Sequence, residues 1–562
     1  MQKEILEKYQ SWLNSDLLSK EEKDELLAFK DDEKEIMTRF IADLEFGTAG
    51  LRGVMGLGTN MMNKYVVRRA SQGLANYLLK QYKAPSVAIA YDSRNNSDKF
   101  AKEAASVLAK NGIKVHIYKE LMPVPMLSFA TRYLKCSAGI AVTASHNPKQ
   151  YNGYKVYGND GCQMTTESAN AVLHEILELD IFKDVKVGQF DQLMKEGLIS
   201  YINNELIEAY YSSTAKQSLD GKERIVKIAY TPLHGAGRKP VLTVLNRDGF
   251  KNIDVVKEQE MPNGDFPTCP YPNPEMAPAL ELGLKKLIEN KNDILLATDP
   301  DSDRVGVAVN QNGKYVILTG NEVGILLFDF VYNIRKEHNT LPEKPVMVKT
   351  IVSSDICSII GQKYGVEVRN VLTGFKFIGE QILFLEREGQ EKRFIFGFEE
   401  SCGYLTNTDV RDKDAINACL LTAEMANYYK HKGFTLVDRL NQIYEEFGKY
   451  KTLTLNFQFE GLDGKDHMAN LMKEFRTKEV QEIFGPVESV CDYQAKKHYF
   501  KDHVEEISLP TSNVVKYFLE DNQSIIFRPS GTEPKLKAYL FAKGSKGIEK
   551  YKKLISDYIA KH

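Results

Sequence analysis

The chain has no surplus of charge and no long apolar run. Its 74 basic and 76 acidic side chains leave a formal charge of −2 over 562 residues, so there is no basic field for nucleic acid and no polybasic patch for a membrane surface. Any positive potential for an anionic ligand must be local. The longest apolar stretch, residues 324–332, is interrupted by Asp329 and is too short to span a bilayer. Cysteine is sparse: seven residues, at 136, 162, 269, 357, 402, 419 and 491, odd in number and without a CxxC pair. That argues against a disulfide framework or a zinc site and fits reduced thiols in the cytoplasm. The opening MQKEILEKYQ is charged and helical in pattern, unlike a signal peptide. A GxSxG elbow is missing, which weakens a serine-hydrolase reading. What remains is a soluble cytoplasmic protein, long enough for roughly three to five domains.

What is present is a repeat. Residues 2–44 alternate Lys/Glu with Leu/Ile/Phe at helical spacing and predict one or two amphipathic helices. A unit then recurs three times. The first copy is a strand at 87–91, the loop DSRNNS, a helix over 100–111, Gly112 and the strand KVHIYK. The second is IVKIAY, the loop TPLHGAG, a helix over 238–248, Gly249 and NIDVV; the third is VMVKTI, VSSD, a helix over 356–364, Gly365 and VEVRNV. Each glycine stands where a helix takes a left-handed cap before a short turn into a strand. Such units imply parallel pairing with right-handed crossovers. Beyond each lies another apolar strand ending in a polar loop: AGIAVTASHNP, DILLATDPDSDR and FIFGFEESCGY. Ligands of open α/β sheets bind beyond the carboxyl ends of strands, where these loops sit. The last hundred or so residues break the pattern, with helical residues near 466–483, the strand–loop–strand SIIFRPSGTEPKLKAYLFA and a Lys-rich helix. The predicted fold class is α/β, with three similar mixed-sheet domains and a smaller C-terminal α+β domain around a central cleft. The expected boundaries are 1–205, 206–322, 323–445 and 446–562.

In TASHNPKQYNGYKVY, Ser145 sits on a turn after a buried strand, with Asn147, Pro148, Asn152 and Gly153 as turn formers. A serine hydroxyl needs a base or a metal to become a nucleophile. In an extended chain His146 points to the opposite side from its neighbour, so it is not an obvious base for it; Lys155 adds a local cation. The pair alone reads more readily as structural than as catalytic. Asp299, Asp301 and Asp303 follow at period two. On a straight strand they are roughly 7 Å apart, beyond the bonds of about 2.0–2.1 Å that Mg²⁺ requires, so a metal site requires the loop to curl, which Pro300 favours. An EF-hand is excluded by Arg304 at the sixth position and Asn310 at the twelfth. A solvated acidic turn is the alternative; in the metal reading Arg304 steadies the carboxylates or meets a phosphate.

GFEESCGY places Glu399, Glu400 and Ser401 at a strand end, suited to sugar hydroxyls or to an exposed acidic turn. In VRDKDA, Lys413 reads as an ion-pair partner or as a proton carrier. FRPSGTEPK offers the planar fork of Arg528, the hydroxyls of Ser530 and Thr532, and Gly531 for a backbone curl around an anion; a plain hairpin turn is the alternative. FGTAGLRG has a similar flavour, with Arg52 as its charge.

Together, TASHNP, DPDSDR, GFEESCG and RPSGTEPK, helped by FGTAGLRG and NGYKVY, resemble the α-D-phosphohexomutase superfamily in order and across nearly the whole chain, and most closely its phosphoglucomutase/phosphopentomutase branch. The resemblance implies interconversion of glucose 1-phosphate and glucose 6-phosphate through a phosphoserine and a 1,6-bisphosphate. It makes Ser145 the phosphorylated residue, and Asp299, Asp301 and Asp303 the Mg²⁺ ligands together with a phosphoserine oxygen. Glu399 and Ser401 then bind sugar hydroxyls, and Arg528, Ser530, Gly531 and Thr532 hold the phosphate that is not transferred. Arg52, His146, Lys155 and Lys413 fall near the reacting centre, and glucose 1,6-bisphosphate is the expected activator. The expected partners are small sugar phosphates, with no nucleic acid or membrane, for a monomer or weak dimer. DPDSDR stands where many relatives carry glycines, and GFEESCGY lacks the methionine usual in dual mannose/glucose enzymes. Phosphopentomutase, phosphomannomutase, hexose-1,6-bisphosphate synthase and an inactive scaffold are the alternatives.

Overall fold

Each of the three strand–helix–strand units is present in the computed structural model, which describes residues 3–47, 50–459, 464–530 and 535–562. In the first, Ser86–Tyr91 pairs in parallel with Lys114–Ile117 on one side and Ala138–Val142 on the other. In the second, Ile228–Thr231 pairs in the same way with Ile253–Val255 and Ile294–Thr298. In the third, Val346–Thr350 pairs with Glu367–Val371 and Phe394–Glu399. The opening strand is thus central each time, and the strand that ends in the polar loop lies beside it. Antiparallel strands extend the first two sheets: Tyr151–Gly158 and then Gly50–Val54 in one, Val305–Gln311 and then Lys314–Leu318 in the other. The sheets are therefore mixed, as expected.

The burial of these strands explains their apolar runs. Ala138–Val142, Ile294–Thr298 and Val346–Thr350 are buried at every position, as for parallel strands covered on both faces. The crossover helices are Ser97–Lys110, Arg238–Arg247 and Ile356–Tyr364. The first starts three residues earlier than expected, because Asn96 turns left-handed (φ 66°) and lets Ser97 begin the helix. Gly112, Gly249 and Gly365 all have positive φ (82°, 96° and 70°), the conformation that glycine adopts without a Cβ clash.

The chain divides into two units. The first comprises Met1–Thr319, Ile378–Glu391 and Ser401–Thr435; the second comprises Gly320–Phe377, Lys392–Glu400 and Leu436–His562. Residues 3–40 form three helices rather than one or two: Lys3–Leu13, Lys20–Ala28 and Glu33–Phe40. Caps at Ser19 and Asp32 split the periodic stretch, Ser19 making a full capping box with Glu22. Their apolar faces close over Trp12, 1% exposed. In the second unit, the C-terminal part is a seven-stranded antiparallel sheet that includes Tyr450–Gln458, Val515–Leu519, Gln523–Pro529 and Lys535–Lys543. Gly544–Lys561 packs on that sheet. All seven cysteines are buried free thiols, and no helix among the described residues is long and apolar enough to cross a membrane.

Candidate active site

The serine loop leaves the end of Ala138–Val142 and turns at once. Ser145 has φ +52°, a left-handed conformation that costs a non-glycine residue about 1–3 kcal/mol. Its N–H donates to Thr143 Oγ1 (2.8 Å). Its hydroxyl, almost wholly buried, donates to Asp299 Oδ2 (2.9 Å). His146 Nδ1 lies 3.1 Å from the same oxygen. The expectation that His146 faces away is therefore wrong: it assumed an extended chain, and the left-handed turn brings both side chains to one side.

The acidic loop does curl. Asp299, Asp301 and Asp303 are 0%, 1% and 2% exposed, and one oxygen from each falls within 4.8 Å of the others. Ser302 adopts φ +53° at the bend, and the N–H groups of Asp303 and Arg304 donate to Asp299 Oδ1 (3.1 and 3.0 Å). The loop rests on the second copy of the repeat. Ala236 N–H donates to Pro300 O (2.8 Å), and a Cβ on Gly235 would come within 2.4 Å of Pro300 Cα, so only glycine admits this approach.

Two lysines face the carboxylates. Lys155, on Tyr151–Gly158, donates to Asp301 Oδ2 (2.8 Å) and lies 3.7 Å from Asp303. Lys413 reaches Asp303 Oδ2 (3.2 Å) and Asp412 Oδ1 (3.3 Å). Asp301 Oδ1 and Asp303 Oδ1 are nevertheless buried without a hydrogen-bond partner. Leaving such acceptors bare is costly. Three converging carboxylates with two bare oxygens suit a hard divalent cation, so these residues fit a metal ion.

The electrostatics follow from this crowding. Burial, then the Asp301 and Asp303 charges, pushes the Asp299 carboxyl well above the usual carboxylate range. Burial raises the Asp301 carboxyl too, yet Lys155, the Asp299 hydrogen bond and the Lys413 charge together outweigh it and hold the group below that range. Burial, then the Arg304 and Arg52 charges, holds the His146 imidazole well below its ordinary value, which leaves it neutral. Arg304 pairs with Glu275 (2.6 Å) and stays near Asp303 (3.7 Å); it steadies the loop. Arg52, on Gly50–Val54, donates to Asn147 Oδ1 (3.1 Å) in the serine loop.

Sequence reasoning missed the supports. Asp92 accepts hydrogen bonds from Thr143 Oγ1 and Ser97 Oγ (both 2.7 Å), and Arg94 donates to several serine-loop carbonyls. Both sit in DSRNNS, whose signal was its place at the end of a repeat strand. Asp412, which holds Lys413, also accepts from Tyr157 OH (2.8 Å).

In the second unit, Glu399 Oε1 accepts from Gly374 N–H (3.1 Å). Glu400 Oε2 accepts from Thr350 Oγ1 (3.0 Å) and Ser353 Oγ (3.2 Å). Arg528 lies on Gln523–Pro529 beside Tyr539, and Ser530 N–H donates to Lys535 O (2.7 Å). Burial, then the Glu400 and Glu399 charges, takes the Tyr539 hydroxyl up to about 12 against the opposing pull of Arg528, so these three charges share one neighbourhood. Ser401, which opens the next segment of the first unit, is half-buried. Gly531 and Thr532 lie outside the described residues.

Family models for phosphoglucomutase/phosphomannomutase α/β/α domains I, II and III match residues 43–181, 207–313 and 319–447 in that order. The phosphoglucomutase of Staphylococcus saprophyticus is 37% identical over 513 residues, covering 90% of this chain and 92% of that protein. That of Staphylococcus haemolyticus is 36% identical over 505 residues, covering 89% and 90%. Two solved structures share the fold. The open form of parafusin, a phosphoglucomutase from Paramecium, gives a TM-score of 0.68 at 18% identity, covering 89% of this chain and 90% of that one. A phosphoglucomutase/phosphomannomutase family protein from Burkholderia thailandensis gives 0.66 at 16% identity, covering 91% and 97%.

Proposed function

Because the chain belongs to the phosphoglucomutase/phosphomannomutase family, we propose that it is a phosphoglucomutase. In this reading it interconverts glucose 1-phosphate and glucose 6-phosphate, with Ser145 as the phosphoryl carrier. The observation that carries the proposal is the contact between Ser145 Oγ and Asp299 in a carboxylate cluster with two bare oxygens. Phosphoryl transfer depends mainly on positioning and charge stabilisation, and this cluster is built for both.

Asp299, Asp301 and Asp303 hold Mg²⁺ in this reading, together with an oxygen of phosphorylated Ser145. When bound, the ion neutralises charge on the transferring phosphoryl group. In the first transfer the bond from Ser145 Oγ to phosphorus breaks and a bond from the sugar hydroxyl oxygen to phosphorus forms. His146 is the side chain proposed to take the hydroxyl proton, while Lys155 and Lys413, paired as ammonium groups with Asp301 and Asp303, stabilise negative charge near the reacting oxygens. The resulting 1,6-bisphosphate turns round, and Ser145 Oγ accepts its other phosphate while the proton returns to the freed sugar oxygen. Arg52 and Arg304 hold the serine loop and the acidic loop. Glu399 and Ser401 bind sugar hydroxyls, and Arg528 and Ser530, with Gly531 and Thr532, bind the phosphate that stays in place. The accompanying segments are 1–205 for the serine loop, 206–322 for the metal loop, 323–445 for the sugar loop and 446–562 for the distal phosphate. Glucose 1,6-bisphosphate serves as activator, and the protein works in the cytoplasm as a monomer or weak dimer.

The test is a coupled assay of glucose 1-phosphate turnover with Mg²⁺ and glucose 1,6-bisphosphate, paired with intact-mass measurement. Wild type is expected to turn over and to carry one phosphate; Ser145→Ala should do neither. Full activity in Ser145→Ala would sink the proposal.

A further inference from the structure

Ser145 and Asp299 are supplied by two different sheets, and their contact needs something to fix one loop against the other. We infer that residues 261–268 form a strut between the acidic loop and the serine loop, and that Arg94 is the positioning residue at its serine end. The inference rests on Ser145 as the phosphoryl carrier.

At the serine end, the Arg94 side chain is wholly buried. Its Nη2 donates to the carbonyls of Ser145 (2.6 Å) and Asn147, and its Nη1 donates to those of Pro148 (2.9 Å) and Tyr151 (3.1 Å). Its Nε lies 3.3 Å from Asp92 Oδ2. One planar cation therefore gathers four carbonyls of the loop that carries Ser145 in its left-handed turn. A lysine ammonium has three donors and no fork, and cannot reproduce this pattern.

The strut covers the guanidinium. The Phe266 ring centroid is 5.1 Å from Arg94 Cζ, and Phe266 is fully buried at φ +44°. Beside it, Asn95 Nδ2 donates to Asp265 Oδ1 (3.1 Å), and a Cβ on Gly264 would come within 2.4 Å of Asn95 N. The strut is thus seated directly on the backbone next to Arg94.

At the other end stands His234, 3% exposed. Its two ring nitrogens lie 3.2 Å from Met261 O and 2.9 Å from Thr268 Oγ1, and its carbonyl accepts from Asn263 N–H (3.1 Å). The next two residues are Gly235 and Ala236, which touch and hydrogen-bond Pro300 of the acidic loop. Contacts therefore run without a break from Pro300 through His234 and Phe266 to Arg94 and the Ser145 carbonyl. None of these groups needs to touch substrate; their common effect is the position of Ser145 against the carboxylates. A displacement of about 1 Å at such a centre can lower the rate on the order of a hundredfold.

The experiment compares wild type with Arg94→Lys, Arg94→Ala and Phe266→Leu in the full chain with Mg²⁺ and glucose 1,6-bisphosphate. Phe266→Leu keeps an apolar side chain at the strut, so it carries the test even where Arg94→Ala fails to fold. We expect kcat to fall about 10- to 100-fold in Phe266→Leu and Arg94→Lys, with KM for glucose 1-phosphate within about twofold, the signature of lost transition-state positioning. Millimolar guanidinium is expected to restore turnover to folded Arg94→Ala and to leave Phe266→Leu unchanged. If wild type turns over through phosphoserine and both Phe266→Leu and Arg94→Lys keep its kcat, the inference falls while the carrier reading stands. A rise in KM at constant kcat overturns it too. Wild type without phosphate on Ser145 brings down both.

Discussion

The Ser145 hydroxyl donates a 2.9 Å hydrogen bond to Asp299, across 154 positions of sequence. Phosphorylation would remove that proton and put about −1.5 to −2 charges against a buried carboxylate. Nearby cations already have partners in Asp301 and Asp303. The phosphorylated form should therefore depend on a divalent ion for its stability. In EDTA its melting temperature should lie below that of the unmodified protein by a few degrees, and excess Mg²⁺ should reverse the order. Scanning fluorimetry on the two forms, separated and verified by intact mass, checks this; equal responses to Mg²⁺ would remove the phosphate from the ion's surroundings.

Asp301→Asn keeps the shape of the side chain but removes the charge that faces Lys155 at 2.8 Å. It also replaces one of the two bare carboxylate oxygens. The Mg²⁺ concentration for half-maximal activity should rise at least about 10- to 100-fold, the loss typical of even an outer-shell partner. An unchanged Mg²⁺ activation curve would show that Asp301 is no ligand.

Gly403 leaves room for Lys413: a Cβ there would come within 2.1 Å of Lys413 Cδ. Gly403→Ala should therefore push the ammonium off Asp303 and Asp412. The expected result is a fall in kcat of about 10- to 100-fold with little change in melting temperature. Lys413→Ala and the double variant should be about equally slow, since both act on one group. Additive losses would place the effect of Gly403 elsewhere.

What could be read from the sequence was what is local. The three polar loops stood out because each interrupts an apolar strand, and Gly112, Gly249 and Gly365 announced their caps because glycine alone takes positive φ freely. Ser145 also takes positive φ, but serine carries no such signal, so the orientation of His146 does not follow from the sequence. Arg94 stayed hidden for a different reason. It lies 51 positions from the carbonyl it holds, and nothing in DSRNNS distinguishes a clamp from a connector. Lys349, in VMVKTI, carries no local sign of what it pairs with, yet it is fully buried.

Glu424, on Ala415–His431, is fully buried. It accepts from Ser218 Oγ (2.6 Å), Leu219 N–H (3.0 Å) and Arg224 Nη2 (2.7 Å). Burial still takes its carboxyl up to about 7 from 4.5. Between those values the folded state binds the proton that the unfolded state has released. Stability should thus fall as pH rises through this window, by up to about 1.4 kcal/mol per pH unit, and level off above pH 7. Glu424→Gln cannot ionise, so urea unfolding at pH 5 and pH 8 should show a smaller difference than in wild type. An identical difference would exclude Glu424 as its source.

Asp355 carries a heavier load in the second unit. Its Oδ1 accepts from Lys349 (3.0 Å), and its Oδ2 accepts from Lys516 (2.7 Å) and Ser524 (2.8 Å). Lys349 and Lys516 are 0% and 3% exposed, so one carboxylate serves two buried ammonium groups. Burial raises the Asp355 pKa, but the Lys349 and Lys516 charges outweigh it and hold the group below the usual carboxylate range. A depressed carboxyl stabilises the fold above its unfolded value of 3.8, and the contribution drains away as pH falls below that. Asp355→Asn should therefore cost about 3–5 kcal/mol at pH 7, the penalty of stranding a buried charge. The deficit should shrink below pH 3.8, where wild type is losing the same charge. Trp12 is the only tryptophan and belongs to the first unit, so its fluorescence is the wrong probe. Hydrogen exchange in Val346–Thr350 and Val515–Leu519, the strands that carry the two lysines, reports the loss directly. Unchanged protection there would mean that the lysines find other partners and that Asp355 is dispensable to the fold.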